Sequence, residues 1–197
     1  MISPDNSYAS VVKWPPNGRG DWIKTHVDDI LVIPSGDFIV EKRKCDCLVK
    51  VRDFYSLPNI RMLCYDEGFE DFDLRYAGGY WVMIEFKVKE ACTNFMTYDG
   101  LNHWFVEKQE RDRNFTPLER LVSRDIEGVP LHALSKDAFR RSLAKWGYIA
   151  HLDDYLSEDV YKNQICILTI FQGIISEDIK IKVDDLVFTI HIKEASG

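Results

Sequence analysis

The spacing of apolar residues changes period several times between residues 47 and 97. Val49 and Val51 alternate with Lys50 and Arg52, the two-residue period of a strand with one buried face. From residue 57 the period lengthens. Leu57, Ile60, Leu63 and Cys64 fall on one side of a predicted helix, with Ser56 as its cap and Pro58 in the first turn, where a missing N–H is harmless. Gly68 suits the C-terminal end. Alternation returns at Phe72, Leu74 and Tyr76. Gly78 and Gly79 supply the positive φ angles of a hairpin turn, so the strand that follows is predicted to pair antiparallel with its predecessor. In that strand Tyr80, Val82, Ile84 and Phe86 take one face, while Trp81, Met83 and Glu85 take the other. A second helix from Lys89 turns Ala91, Cys92, Phe95 and Met96 toward the sheet. Leu101, Trp104 and Phe105 lead into a charged loop, 107–114, and a fourth strand is predicted over 121–126, broken by Gly128, Val129 and Pro130. The resulting β-α-β-β-α-β order predicts an α+β fold, an α/β plait with one sheet face under two helices and the other open.

The remaining chain reads as an appendage. Ser135 is predicted to cap a helix running to about Trp146, with Ala138, Phe139, Leu143 and Trp146 buried and Gly147 at its end. Residues 148–154 form a short apolar piece, 153–163 an acidic loop and 164–172 a strong strand. Residues 179–194 form a hairpin turning at Asp184 and Asp185. The predicted organisation is a linker over 1–40, a plait over 41–130, and a C-terminal helix and β-hairpin extension over 131–197. The extension is expected to pack on the plait, since some sixty residues bury little core alone. The linker is rich in proline and glycine, with one extended piece, 28–34, expected to dock on the domain, and Trp14 and Trp22 as anchors.

Composition narrows the possibilities. An apolar content of 46% supports a real core. No apolar run reaches the ~18 residues of a spanning helix, and the N-terminus lacks the pattern of a signal peptide. The chain is therefore expected inside the cell, without a membrane partner. Five cysteines at irregular spacing are expected as reduced, mostly buried thiols; Cys45 and Cys47 lack the further ligands a zinc site needs. No metal or other cofactor is expected. The scattered histidines fit no nucleophile, dyad or metal motif, and Gly78-Gly79 joins strands rather than opening a phosphate loop, so no catalytic residues are assigned and an enzyme is not expected. A net charge of −7 disfavours bulk electrostatic binding of nucleic acid.

The segments 7–12 (SYASVV), 66–86 (DEGFEDFDLRYAGGYWVMIEF), 125–131 (DIEGVPL) and 146–154 (WGYIAHLDD) resemble a plant-specific domain of retroelement-derived proteins. Such proteins are commonly labelled RNA-directed DNA polymerase with a nucleotide-binding α-β plait domain. The resemblance spans roughly residues 7 to 193. It implies a non-catalytic accessory region that holds element RNA for a polymerase encoded elsewhere. Ser123 and Ala133 depart from the tryptophans common in related sequences, and Arg124 stands where an apolar residue is usual.

Plaits of the RNA-recognition-motif (RRM-like) type stack bases on aromatic residues of strands one and three and hold phosphates with nearby cations. Aligning Phe86 with the last aromatic of the third-strand signature puts Trp81 and Met83 at the platform positions. Lys50 and Arg52 are the strand-one cations. Lys42, Arg43 and Lys44 form the densest basic run, suited to a phosphate backbone or a weak nuclear-import signal, and equally to a solvated linker end. These seven residues are the candidate site for weak, sequence-tolerant binding of single-stranded RNA or DNA. The competing expectation is that the C-terminal extension covers the face and Trp81 is core; the domain then serves protein interaction or self-assembly.

Overall fold

The structure, a computed structural model, describes residues 45–112, 114–152 and 164–195, all within the unit Lys42–Gly197. The expected linker 1–40, the basic run Lys42, Arg43 and Lys44, and the acidic loop 153–163 lie outside the described residues. The fold is α+β, with two antiparallel sheets and three α-helices among the described residues.

The first sheet is built from β1 (Cys45–Val51), β2 (Phe72–Gly78), β3 (Trp81–Phe86) and β4 (Phe105–Glu110), in the order β2-β3-β1-β4. Helices α1 (Ser56–Asp66) and α2 (Lys89–Thr97) sit between β1 and β2 and between β3 and β4 in the chain. The helix-side face follows the expected alternation: Cys47, Val49, Val51, Val82, Ile84 and Phe86 are all buried with Phe95 of α2. Phe95 anchors this layer, its ring 5.1 Å from Phe69, 5.2 Å from Phe86 and 5.8 Å from Phe105. Such offset and edge contacts add to the burial of large apolar surface.

Four expectations are corrected here. The strand beside β1 is Phe105–Glu110, not 121–126. Only Phe105 of this strand is buried, so its sequence reads as a charged loop. Its Lys108 lies on the helix side, where Nζ donates to the Tyr98 carbonyl at 2.6 Å and satisfies a backbone acceptor at the end of α2. Second, Ser56 does not cap α1. Ser56 is the first helical residue and Tyr55 holds the cap position without a side-chain bond, while Asp53 just upstream accepts at Oδ1 from the Ser56 N–H at 2.9 Å and from the Ser56 hydroxyl at 3.1 Å. Third, Cys45 and Cys92 are not free thiols but form a disulfide joining β1 to α2 across 47 positions. Spacing along the chain conceals that approach, which folding creates. Fourth, α3 ends at Leu143, before the expected Trp146.

The second sheet holds β5 (Arg120–Glu127), β6 (Tyr148–Leu152), β7 (Gln164–Thr169), β8 (Ser176–Val183) and β9 (Leu186–Glu194), in the order β6-β7-β5-β9-β8. Helix α3 (Lys136–Leu143) is capped as expected by Ser135, whose hydroxyl accepts from the Ala138 N–H at 3.1 Å. It buries Phe139 and Leu143, and Trp146 follows them into a core with Val122, Ile126, Ile165, Ile167, Ile190 and Ile192. Because 120–127 belongs to this sheet, the element boundary falls in the connector 111–119 rather than at 130. The two layers meet where the Phe54 ring stacks on His151 at 4.9 Å and the Tyr55 hydroxyl lies 3.0 Å from His151 Nδ1.

Candidate nucleic-acid interface

The face of the first sheet turned away from α1 and α2 carries three cross-strand rows. Lys50 lies opposite Trp81, Leu48 opposite Met83, and Asp46 opposite Glu85, with Arg75 and Asp73 of β2 flanking the last two rows. The period-two reading thus placed Lys50, Trp81 and Met83 on a shared face. What covers them differs from both expectations.

Trp81 is only 8% exposed. Its cover is neither solvent nor the C-terminal segment but the connector 111–119. The Phe115 ring meets the indole edge-on at 4.8 Å. Lys50 reaches over the same ring, its Nζ 5.9 Å from the centroid, and ends in an ion pair with Glu119 at 2.9 Å. The connector is seated on the β2–β3 hairpin. A Cβ at Gly78 would stand 2.8 Å from Pro117 Cγ, and one at Gly79 would stand 2.9 Å from the Glu119 carbonyl oxygen. Gly78 and Gly79, with φ of +127° and +54°, are therefore required both by the turn and by the chain lying on it. Gly79→Ala is expected to lower stability by about 1–2 kcal/mol, more than a positive-φ substitution in open space. Matching urea midpoints for the variant and wild type would show that the connector does not press on this turn.

Met83 is half-buried and lines a cavity of about 250 Å³ with Leu48, Arg75, Arg111, Phe115 and Pro117. Both arginines are engaged: Arg75 Nε lies 3.0 Å from Glu85, and Arg111 Nη1 lies 2.7 Å from Asp46. Glu85 is 4% exposed, so the far row of the platform presents buried carboxylates paired to arginine rather than bare cations. Arg52 is off the face. Its guanidinium donates to the carbonyls of Asn102 and His103, each at 3.0 Å, and clamps the turn 99–103 to the end of β1.

The structure brings Lys50, Trp81 and Met83 together, assigns Arg52 to a loop clamp, and adds Phe115, Pro117 and Glu119, which sequence reasoning passed over. A signal for them existed. Phe115, Pro117 and Leu118 interrupt an otherwise charged stretch, the mark of a segment with something to lie against.

The thiols carry little nucleophilic character. Burial pushes Cys47 and Cys64 up to about 12 and Cys166 up to about 11, keeping all three protonated near neutral pH. Among the described residues no group of three or more histidine, cysteine or acidic side chains is placed to hold a metal ion. Among the same residues no helix is long and apolar enough to cross a membrane.

The chain matches no known family model, curated protein or solved structure.

Proposed function

We propose that residues 42–197 form a non-catalytic protein-interaction module of a retroelement-derived protein, built on an RRM-like plait whose usual nucleic-acid face is closed by its own connector. The observation that carries this reading is the burial of Trp81 beneath Phe115, with Lys50 turned onto Glu119. A base stack is worth about 1–3 kcal/mol and needs an open ring face. Here it would first have to displace an aromatic contact and an ion pair. Arg75 and Arg111 on the same face are engaged by Glu85 and Asp46 rather than offered to phosphate, and the net charge of −7 further disfavours binding. The retroelement origin rests on the sequence resemblance, and the protonated, buried thiols favour a binding role over nucleophilic catalysis.

A second reading, weak binding of single-stranded RNA, is favoured by one observation. The sheet order β2-β3-β1-β4 with helices after β1 and β3 is that of RNA-recognition plaits. Lifting the connector would then present Trp81 and Met83 between Lys50 and Arg75.

Titration of labelled single-stranded RNA against wild type, Trp81→Ala and Phe115→Ala separates the two. The interaction reading expects no salt-dependent binding by wild type up to about tens of micromolar. Wild-type binding that weakens with salt and is lost in Trp81→Ala would overturn it in favour of the second.

A further inference from the structure

We propose that β8 is a self-complementary edge through which two copies of this chain pair, joining their five-stranded sheets about a two-fold axis at Ile179. This rests on the interaction-module reading and names its partner.

Strand β8 ends its sheet among the described residues: β9 lies on one side, and no described strand on the other. The β8–β9 hairpin turns in two residues between Val183 and Leu186. A two-residue loop makes its flanking residues a hydrogen-bonded pair, so odd-numbered backbone groups of β8 turn inward toward β9. The Glu194 N–H, which donates to the Ile175 carbonyl at 3.0 Å, extends the same parity. The N–H and C=O groups of residues 176, 178, 180 and 182 therefore face the free edge, an array able to pair with another strand. The ribbon also projects: β9 pairs with β5 only over residues 191–194, whereas β8 and β9 stay paired to the turn.

The order of side chains selects the occupant. Along β8 the acids come first, Glu177 and Asp178, and the lysines follow, Lys180 and Lys182, with Ile179 and Ile181 on the core-side face. All four charged residues are exposed. Two such strands run antiparallel about Ile179 set Asp178 opposite Lys180 of the second copy, twice, and Ile179 opposite Ile179. Both sheets then keep their core faces on the same side. Opposite charges directly across an antiparallel pair are favourable, and like charges are not. Sliding each strand one step further in the allowed parity also makes two opposite-charge pairs, Asp178 with Lys182, but adds the repulsive pair Lys180 on Lys180 that the first register lacks. The lysines, which elsewhere protect an edge from pairing, here select one register.

The test uses the full chain in sedimentation velocity over roughly a hundredfold range of concentration. Wild type is expected to show a monomer–dimer equilibrium. Asp178→Lys and Lys180→Glu each create two like-charge pairs and are expected to weaken self-association about tenfold or more. Mixed in equal amounts, the two variants restore both attractive pairs and are expected to form a heterodimer. Both positions are exposed, and unchanged circular dichroism would establish that the variants fold. A monomeric wild type, undiminished dimers in both variants, or a mixture that stays monomeric would each overturn the proposal. None of these outcomes touches the module reading, which falls only if RNA binding is observed in the titration above.

Discussion

Glu194→Ala is expected to lower the free energy of unfolding by about 3–5 kcal/mol, because it strands a buried guanidinium. Arg124 is fully buried on the core face of β5, between Val122 and Ile126. Its neighbour across the ladder in β7 is Ile165, and in β9 it is Glu194. The Arg124 Nη1 lies 3.1 Å from Glu194 Oε1, and the same carboxylate pairs with Arg120 at 2.9 Å and accepts from the Ile175 N–H at 3.0 Å. Desolvation pushes the Arg124 pKa down, the expected direction for a cation held in a core. Removing one partner of such a pair costs far more than replacing both. Arg124→Met with Glu194→Gln is therefore expected to recover to within about 1–2 kcal/mol of wild type.

The same carboxylate sets an acid limb. Hydrogen bonds from Arg120 first, then from the Ile175 N–H and Arg124, hold the Glu194 pKa at about 2 against an ordinary 4.5. The folded value lies below the unfolded one. The stabilisation is therefore complete above pH 4.5 and is lost as pH falls toward 2. A shift of this size corresponds to about 3 kcal/mol. The difference in unfolding free energy between wild type and Glu194→Gln should shrink across that window. A constant difference would mean that Glu194 does not hold the cluster.

Reduction of the Cys45–Cys92 disulfide is expected to remove about 4 kcal/mol, the chain-entropy value for a loop of roughly fifty residues. The bond ties the start of β1 to α2, so reduction releases most of the first layer's chain in the unfolded state. The check is the urea midpoint of wild type with and without reductant, beside Cys45→Ser. The variant should match reduced wild type and ignore the reductant. Equal midpoints for oxidised and reduced wild type would show that the link contributes nothing to stability. The other three thiols should not confuse the result, since burial keeps them protonated.

The parts of the fold that could be read directly are those decided within a few residues. Alternation placed Val49, Val51, Val82, Ile84 and Phe86 on the helix-side face and Lys50, Trp81, Met83 and Glu85 on the other, and Gly78-Gly79 located the hairpin. The turn at Asp184 and Asp185 was legible for the same reason, as was the cap at Ser135. Strand β4 was not legible. An edge strand with one buried residue and a lysine on its inner side carries almost no pattern of its own. The segment 121–126 is a strand as expected but belongs to the second sheet, because a strand-like stretch does not show which neighbours it joins.

Arg124 shows the same limit inside one strand. In the sequence it is only a cation at a position where the resemblance implies an apolar residue. Its place is chemically coherent only beside Glu194, which folding delivers from the end of β9. The candidate site divides likewise. Local sequence established that Lys50, Trp81 and Met83 share a face, since the strand period is a property of the backbone. Whether that face meets water depended on Phe115, Pro117 and Glu119, carried over it by a connector whose path follows from where β4 and β5 lie. Short-range stereochemistry sets faces and turns. Pairing, covering and the matching of buried charges depend on contacts between distant segments, and in this protein those contacts closed the surface that the strand pattern had left open.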